Sequence, residues 1–87
     1  MKQFYKDVID FLKSEYSDGY EYNLDISRSV NSPDIIELRI KVGHGFVVKV
    51  TNNSMQYIYN LYRQGTFIEE RNQYTWQKEL VDMIEGS

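Results

Sequence analysis

The sequence contains no cysteine, and among its 87 residues it has only one proline and one histidine. The lack of cysteine excludes disulfide bonds and thiolate metal ligands, and a small chain without such cross-links is typical of a reducing, intracellular setting. Cytoplasmic localisation is therefore expected. Charged residues from Lys2 onward interrupt any leader-like segment after Met1. No apolar run approaches the ~20 residues that span a bilayer, so a membrane partner is not expected.

An excess of basic residues is also absent, since 10 lysines and arginines stand against 13 acids and give a net charge of -3. Nucleic-acid-binding domains usually carry a basic stripe, so direct binding of DNA or RNA is not expected. The acids are concentrated towards the N-terminus, where they would attract a basic protein surface. They are Asp7, Asp10, Glu15, Asp18, Glu21 and Asp25.

The sequence has no group of titratable residues that indicates catalysis. Its single histidine, His44, lies between two glycines and lacks the second group that orients a catalytic base. Two pairs of carboxylates fall on solvent-facing positions of the pattern, whereas acid–base catalysis needs burial that separates their pKa values. These pairs are Asp7 with Asp10 and Glu69 with Glu70. We therefore expect a non-enzymatic protein with no catalytic residue, metal ligand or cofactor.

The middle third of the chain alternates apolar and polar residues in three successive segments, which is typical of strands with one buried face. Strands are predicted at about 20–30, 35–42 and 46–51, with a turn at 31–34 and a tight hairpin at 43–45. Arg28 falls on the apolar side of the alternation, which indicates either a bulge there or an open strand end, and Asp25 is expected near Arg39. The pairs predicted across the hairpin are Val42–Phe46, Ile40–Val48 and Leu38–Val50.

Helical spacing of apolar residues flanks the strands. Residues 2–16 carry an apolar stripe that recurs every four residues, and Tyr5 and Ile9 widen it. A second helix is predicted to follow the capping residues at 52–54 and to end at Gly65, because glycine readily adopts the left-handed conformation of a helix terminus.

The segment after the second helix predicts a turn and a last helix. Residues 66–69 match a capping box, and a third helix is predicted to begin between 72 and 75 and to end at Gly86, with Trp76 as its buried anchor. The chain is therefore predicted to be one domain over 1–87 of the α+β class. It should form two layers, a three-stranded antiparallel sheet with helices on one face, in the order α-β-β-β-α-α.

The eight tyrosines are the other unusual feature. Tyr57, Tyr59 and Tyr62 fall on more than one face of the second helix, so the helix cannot bury all three against one sheet. Tyrosine is enriched at protein interfaces because it combines a large area with a polar tip. Two interpretations stay open: these side chains close the rim of a small core, or they bind a partner.

The element order and several short motifs resemble those of the small phage-encoded type II-A anti-CRISPR proteins. The motifs are Glu37-Leu38-Arg39-Ile40-Lys41-Val42, the helix that closes at Gln64-Gly65, and the spacing of Trp76, Leu80 and Met83, all within Ile36–Met83. Asp18, just before the first strand, also resembles a family acid. The resemblance implies an inhibitor that presents carboxylates to the lysines and arginines with which an RNA-guided nuclease normally meets DNA.

This chain departs from the family pattern in two places. The family's hairpin carries acids, whereas here it reads Gly43-His44-Gly45, and the acidic start of the last helix is replaced by Asn72 and Gln73. A surface that mimics DNA would therefore have to be built from other acids. These are Asp18, Glu21, Asp25, Glu69 and Glu70.

The leading hypothesis is a non-enzymatic phage or bacterial inhibitor that binds a protein and acts by steric and electrostatic occlusion. A basic, nucleic-acid-binding protein such as an RNA-guided nuclease, whose DNA-binding surface would be occluded, is the partner that the resemblance implies. The predicted partner-binding residues are Asp18, Glu21, Asp25, Glu69, Glu70, Tyr57 and Tyr59. The alternative is a small structural or regulatory interaction domain, such as a homodimer joined through the second helix or an exposed strand edge. The sequence leaves open whether the acids or the tyrosines form the interface.

Overall fold

Three helices and a three-stranded antiparallel sheet confirm the α+β class in the computed structural model, which describes residues 2–16, 20–29, 32–42 and 47–86. A two-stranded hairpin and a 3-10 turn stand between the second and third helices. The elements are α1 (Lys2–Glu15), β1 (Tyr20–Ser29), β2 (Ser32–Val42), β3 (Val47–Val50), α2 (Asn52–Gln64), β4 (Phe67–Ile68), the 3-10 turn (Glu69–Arg71), β5 (Gln73–Tyr74) and α3 (Thr75–Glu85).

The sheet has the strand order β1-β2-β3 with antiparallel neighbours. Two of the predicted cross-strand pairs, Leu38–Val50 and Ile40–Val48, are confirmed. The third pair involves Phe46, which lies outside the described residues together with the predicted hairpin tip at 43–45. The register between β1 and β2 shifts between Ser27 and Ser29, so the bulge predicted at Arg28 is confirmed.

The turn predicted at 31–34 is too long. Strand β2 begins at Ser32, which pairs with Ser29 of β1, so Ser32 and Pro33 belong to the strand. Proline is tolerated at the beginning of a strand, where a missing N–H removes little of the ladder. The pairing of β1 with β2 therefore extends into the segment 31–34, which its turn-forming residues had predicted to lie outside the sheet.

One face of the sheet is buried and the other is exposed to solvent, as the alternation predicts. The helices pack on the buried face, and each fully buried large side chain contributes on the order of 1.5–3 kcal/mol to folding before chain entropy is subtracted. The buried residues are Phe4, Val8, Phe11, Leu12, Leu24, Ile36, Leu38, Ile40, Val50, Met55, Ile58, Trp76, Leu80, Val81 and Ile84.

The apolar stripe of α1 is buried as predicted, but one of the two residues expected to widen it is not. Tyr5 was expected to widen the stripe, but its side chain is 44% exposed, whereas Phe11 is buried. Phe11 lies three residues after Val8, and residues three apart lie on the same face of a helix as well as residues four apart. Phe11 therefore continues the buried face. The stripe is therefore widened on the side that meets α3, because the ring of Phe11 contacts that of Trp76.

The capping residues predicted at 52–54 have a different role. Helix α2 begins at Asn52, and Thr51 stands at its N-cap without a side-chain capping bond. The Asn52 Oδ1 atom instead accepts a hydrogen bond of 2.8 Å from the backbone N–H of Ile36. The pairing of β2 with β3 ends at Leu38–Val50, so β3 supplies no backbone partner for Ile36. The Asn52 side chain takes the place of that partner. This leaves the fully buried Ile36 with its N–H satisfied.

The ends of α2 and α3 lie where glycine predicted them. Gly65 adopts a left-handed conformation with φ of 68°, and its N–H donates to the Leu61 carbonyl. Helix α3 runs from Thr75 and is followed by Gly86, whose N–H donates to the Asp82 carbonyl. The C-terminal ends of both helices are therefore confirmed.

Trp76 is buried, as predicted, with 4% of its surface exposed. Its indole meets the rings of Phe11 and Tyr62 edge-on, at centroid distances of 5.6 and 5.5 Å. Such edge-to-face pairs add on the order of 0.5–1.5 kcal/mol each to the effect of burial. One side chain thus joins α1, α2 and α3.

Replacing Asn52 by alanine should lower the free energy of unfolding by about 1–3 kcal/mol, because the N–H of Ile36 would lose its acceptor within the protein. Asn52→Asp retains an acceptor oxygen and should lose less. The matched control is Asn53→Ala, since Asn53 is exposed on the same turn. Chemical denaturation of the three variants checks this expectation. Equal stability of Asn52→Ala and Asn53→Ala would contradict it.

Replacing Trp76 by alanine should cost roughly 3–5 kcal/mol, because a large cavity would open where three helices meet. That loss approaches the total stability of a small domain, so Trp76→Phe serves as the milder variant and should keep the chain folded. Thermal unfolding measures both. A melting temperature unchanged by Trp76→Ala would show that the last helix does not depend on this contact.

Candidate partner-binding surface

Residues 67–74 form a small β-hairpin, hereafter the hairpin, where the sequence predicted only a turn. Phe67 pairs with Tyr74 and Ile68 with Gln73, and the 3-10 turn Glu69–Arg71 forms the tip. The capping box predicted at 66–69 does not form, because Ile68 stands at the N-cap of the 3-10 turn and no side chain caps it. The Thr66 carbonyl accepts bonds from the backbone N–H and the hydroxyl of Thr75. These bonds close the base of the hairpin and lead the chain directly into α3.

The conformation at the tip depends on an asparagine. Asn72 has a positive φ of 53°, and its N–H donates to the Glu69 carbonyl over 3.1 Å. Asparagine tolerates this left-handed conformation better than most residues with a side chain. The backbone of Tyr74 then donates to the Gln77 Oε1 atom, which satisfies an N–H at the beginning of α3.

The hairpin exposes two aromatic rings beside two acids. Phe67 is 47% exposed and Tyr74 is 44% exposed, and their rings meet edge-on at a centroid distance of 5.3 Å. Glu69 and Glu70 are both exposed at the tip. An exposed aromatic pair has large apolar area to bury against a partner, so the hairpin combines apolar and acidic contacts in eight consecutive residues.

An open groove of about 1050 Å³ separates the hairpin from α1. The wall formed by α1 carries three carboxylates, and the wall formed by the end of α2 and the hairpin carries two guanidinium groups. Four aromatic residues contribute to its lining. These charged and aromatic residues are Asp7, Asp10, Glu15, Arg63, Arg71, Phe11, Tyr62, Tyr74 and Trp76.

Two hydrogen bonds hold the walls of the groove together. The Tyr62 hydroxyl donates to the Asp7 Oδ2 atom over 2.7 Å, and the Gln73 Nε2 atom donates to the Glu15 Oε2 atom over 3.5 Å. The hydrogen bond to Asp7, followed by burial, raises the pKa of Tyr62 to about 12, because the carboxylate favours the protonated phenol. Asp7 is therefore engaged, whereas Asp10 is exposed at the rim.

The outer face of the sheet, which holds Glu21 and Asp25, is a surface of mixed charge. Glu21 lies opposite Lys41, and Asp25 lies opposite Glu37. Arg39 was expected near Asp25, but it pairs with Glu37 on its own strand, since the residue opposite Arg39 is Asn23.

Glu37 is the centre of the ion pairs on that face. It contacts Arg39 and, at 3.8 Å, Lys49, and the hydrogen bond from Arg39 lowers the pKa of the Glu37 carboxyl. Arg39 and Lys49 lie opposite each other, so the carboxylate between them reduces a like-charge repulsion. The charges of this face therefore partly neutralise one another.

The predicted acids do not gather on one surface. Glu21 and Asp25 lie on the outer face of the sheet, whereas Glu69 and Glu70 lie on the hairpin between two helices of the other layer. Asp18 is outside the described residues. The acids that the structure brings close to the hairpin are instead those of α1 that line the groove.

The two predicted tyrosines have different surroundings. Tyr57 is 49% exposed, so its ring is available to a partner. Tyr59 is half-buried and packs edge-on against Phe4 at 4.9 Å, and the Arg63 guanidinium lies 5.8 Å from its ring centroid. Tyr59 therefore also supports the packing of α2 on α1.

Sequence reasoning missed the aromatic pair of the hairpin. Each ring belongs to a strand of only two residues, which is too short to show an alternation of apolar and polar residues. The sequence did contain a local signal for this hairpin. The short run 69–72 stands between the dipeptides 67–68 and 73–74, and it ends in Asn72, a residue type that tolerates a positive φ. Reading that run as a turn between strands would have placed both rings on one ribbon.

No protein-family model, curated protein or solved structure matches this chain. In the described ranges, no helix is both long and apolar enough to cross a membrane. The same residues contain no group of three or more acids or histidines that could hold a metal ion. His44 lies outside them. The case for a function therefore depends on the hairpin and the groove.

Replacing Tyr62 by phenylalanine should change how stability depends on pH. The pKa of Tyr62 is raised in the folded state from about 10 to about 12, so its contribution is complete below pH 10 and is lost as the pH rises through 12. The difference in unfolding free energy between the wild type and Tyr62→Phe should therefore shrink over this interval. Urea denaturation at stepped pH measures it, with Tyr57→Phe as the exposed control. A difference that stayed constant would contradict the bond to Asp7.

Proposed function

We propose that this chain is a non-enzymatic inhibitor that binds a basic, nucleic-acid-binding protein and occludes the surface where that protein meets DNA. The RNA-guided nuclease implied by the anti-CRISPR resemblance is the partner we propose first. The observation that carries the proposal is the hairpin, in which the exposed pair Phe67 and Tyr74 stands directly beside Glu69 and Glu70.

The aromatic pair supplies the affinity in this proposal. Burying the exposed half of each ring would contribute roughly 2 kcal/mol per ring, from the area of an aromatic side chain and ~25 cal/mol per Å². That is the range of the few residues that dominate most interfaces. Phe67 and Tyr74 already contact each other, so little conformational freedom would be lost on binding.

The acids of the tip supply steering. Glu69 and Glu70 are exposed at the end of a protruding turn, and the chain carries a net charge of -3. Charges of this kind accelerate encounter with a basic partner and add less to the lifetime of the complex. Lysine and arginine side chains that bind DNA phosphates would meet these carboxylates instead.

Reversing both acids, by Glu69→Lys with Glu70→Lys, should slow association on the order of tenfold at low salt and leave the unfolding free energy nearly unchanged, since both side chains are exposed. The matched control is Glu21→Lys with Asp25→Lys, which makes the same change in net charge on the outer face of the sheet. Inhibition of DNA cleavage by a purified type II-A nuclease, and surface plasmon resonance at two ionic strengths, measure the effect. Equal losses in both double variants would indicate net charge alone and contradict a site on the hairpin.

The aromatic contribution is separated by a second pair of variants. Phe67→Ser with Tyr74→Ser should accelerate dissociation and leave the salt dependence of association unchanged, whereas Tyr57→Ser should affect neither rate. Should binding survive the hairpin variants and fail on Tyr57→Ser, the interface would lie on α2. A concentration-dependent dimer lost in Tyr57→Ser would favour the homodimer interpretation over inhibition.

A further inference from the structure

The groove beside the hairpin holds charges of opposite sign on its two walls. The α1 wall presents Asp10 and Glu15, and the other wall presents Arg63 and Arg71. Across the described part of the chain, no ion pair crosses between these walls. The link at this end of the groove is the long contact from Gln73 to Glu15.

Two of these charges have no other engagement. Among the described residues, Asp10 and Arg71 make neither a hydrogen bond nor an ion pair through their side chains. Arg63 lies over the Tyr59 ring, and Glu15 accepts the long hydrogen bond of 3.5 Å from Gln73. Opposite charges held apart across an open space are complementary to a ligand that presents a cation to one wall and an anion to the other.

An extended polypeptide has this arrangement if its charges alternate. Successive side chains of a strand point to opposite sides, so basic residues at one parity would face α1 while acidic residues at the other would face the hairpin. The groove volume of about 1050 Å³ is at the upper end of pockets that enclose small molecules, and the groove is open along its length. The side chains of Ser14 and Asn72 also line it and can bond a peptide backbone.

We infer that this groove binds an extended segment of the partner protein in which basic and acidic residues alternate. This inference deepens the proposed function, because it names the segment that would lie beside the hairpin contact. The inference about the groove and the proposed function can be contradicted independently. The groove is tested on the isolated chain with synthetic peptides, whereas the hairpin is tested with the partner protein.

The single tryptophan makes the test direct, because Trp76 lines the groove. Three short peptides of equal length are titrated: one alternates lysine and glutamate, one has the same composition in two blocks, and one contains only lysine as its charged residue. Trp76 fluorescence reports binding, and two-dimensional NMR of the same samples places the contact. The alternating peptide should bind about fivefold more tightly than either of the others, the factor that corresponds to the strongest exposed ion pairs.

Variants of the charged residues on each wall of the groove test whether these residues bind the alternating peptide. Asp10→Asn with Glu15→Gln should weaken binding of the alternating peptide about fivefold, and Arg63→Gln with Arg71→Gln should do the same. Glu21→Gln with Asp25→Asn, on the outer face of the sheet, is the control and should have no effect. Equal or tighter binding of the lysine peptide would overturn the inference and show that the acidic wall acts alone. Failure of all three peptides to shift groove resonances would overturn it as well.

Discussion

The contact of Trp76 with Phe11 and Tyr62 is the interaction on which the rest of the structure depends. A sheet with one apolar face needs a helical layer, and three short helices form a layer only if something joins them. The indole touches a ring from α1 and a ring from α2 while it belongs to α3. Because Trp76 stands two residues after Tyr74, the same contact fixes where the hairpin leaves the core.

The groove follows from this junction. The rings that join the helices also line it, so the packing of the core and the shape of the surface cannot vary independently. The hydrogen bond from Tyr62 to Asp7 fixes the distance between α2 and α1 at one end of the groove. A rigid lining matters for recognition, because a site that is already formed loses less entropy when it binds. The charged rim therefore stands beside the junction of the three helices.

The charged residues are paired on the outer face of the sheet and separated in the groove and on the hairpin. On the outer face of the sheet, Glu37 bridges Arg39 and Lys49, and such exposed pairs contribute little to stability but leave little net field. In the groove and on the hairpin, opposite charges stay apart. The sequence showed an acidic N-terminal third, but acids near one another in the chain separate onto two layers. Asp10 and Asp25 illustrate this, since one lines the groove and the other faces Glu37.

The sequence by itself determined the periodic part of this protein. Alternation placed Leu38 opposite Val50 and predicted the bulge at Arg28, and glycine predicted where α2 and α3 end, because these signals depend on backbone geometry within a few residues. Tertiary structure alone decided that Asn52 completes the sheet and which acids share a surface. Contacts of this kind join residues up to 58 positions apart, as in the bond from Gln73 to Glu15, and no local period encodes contacts across such distances.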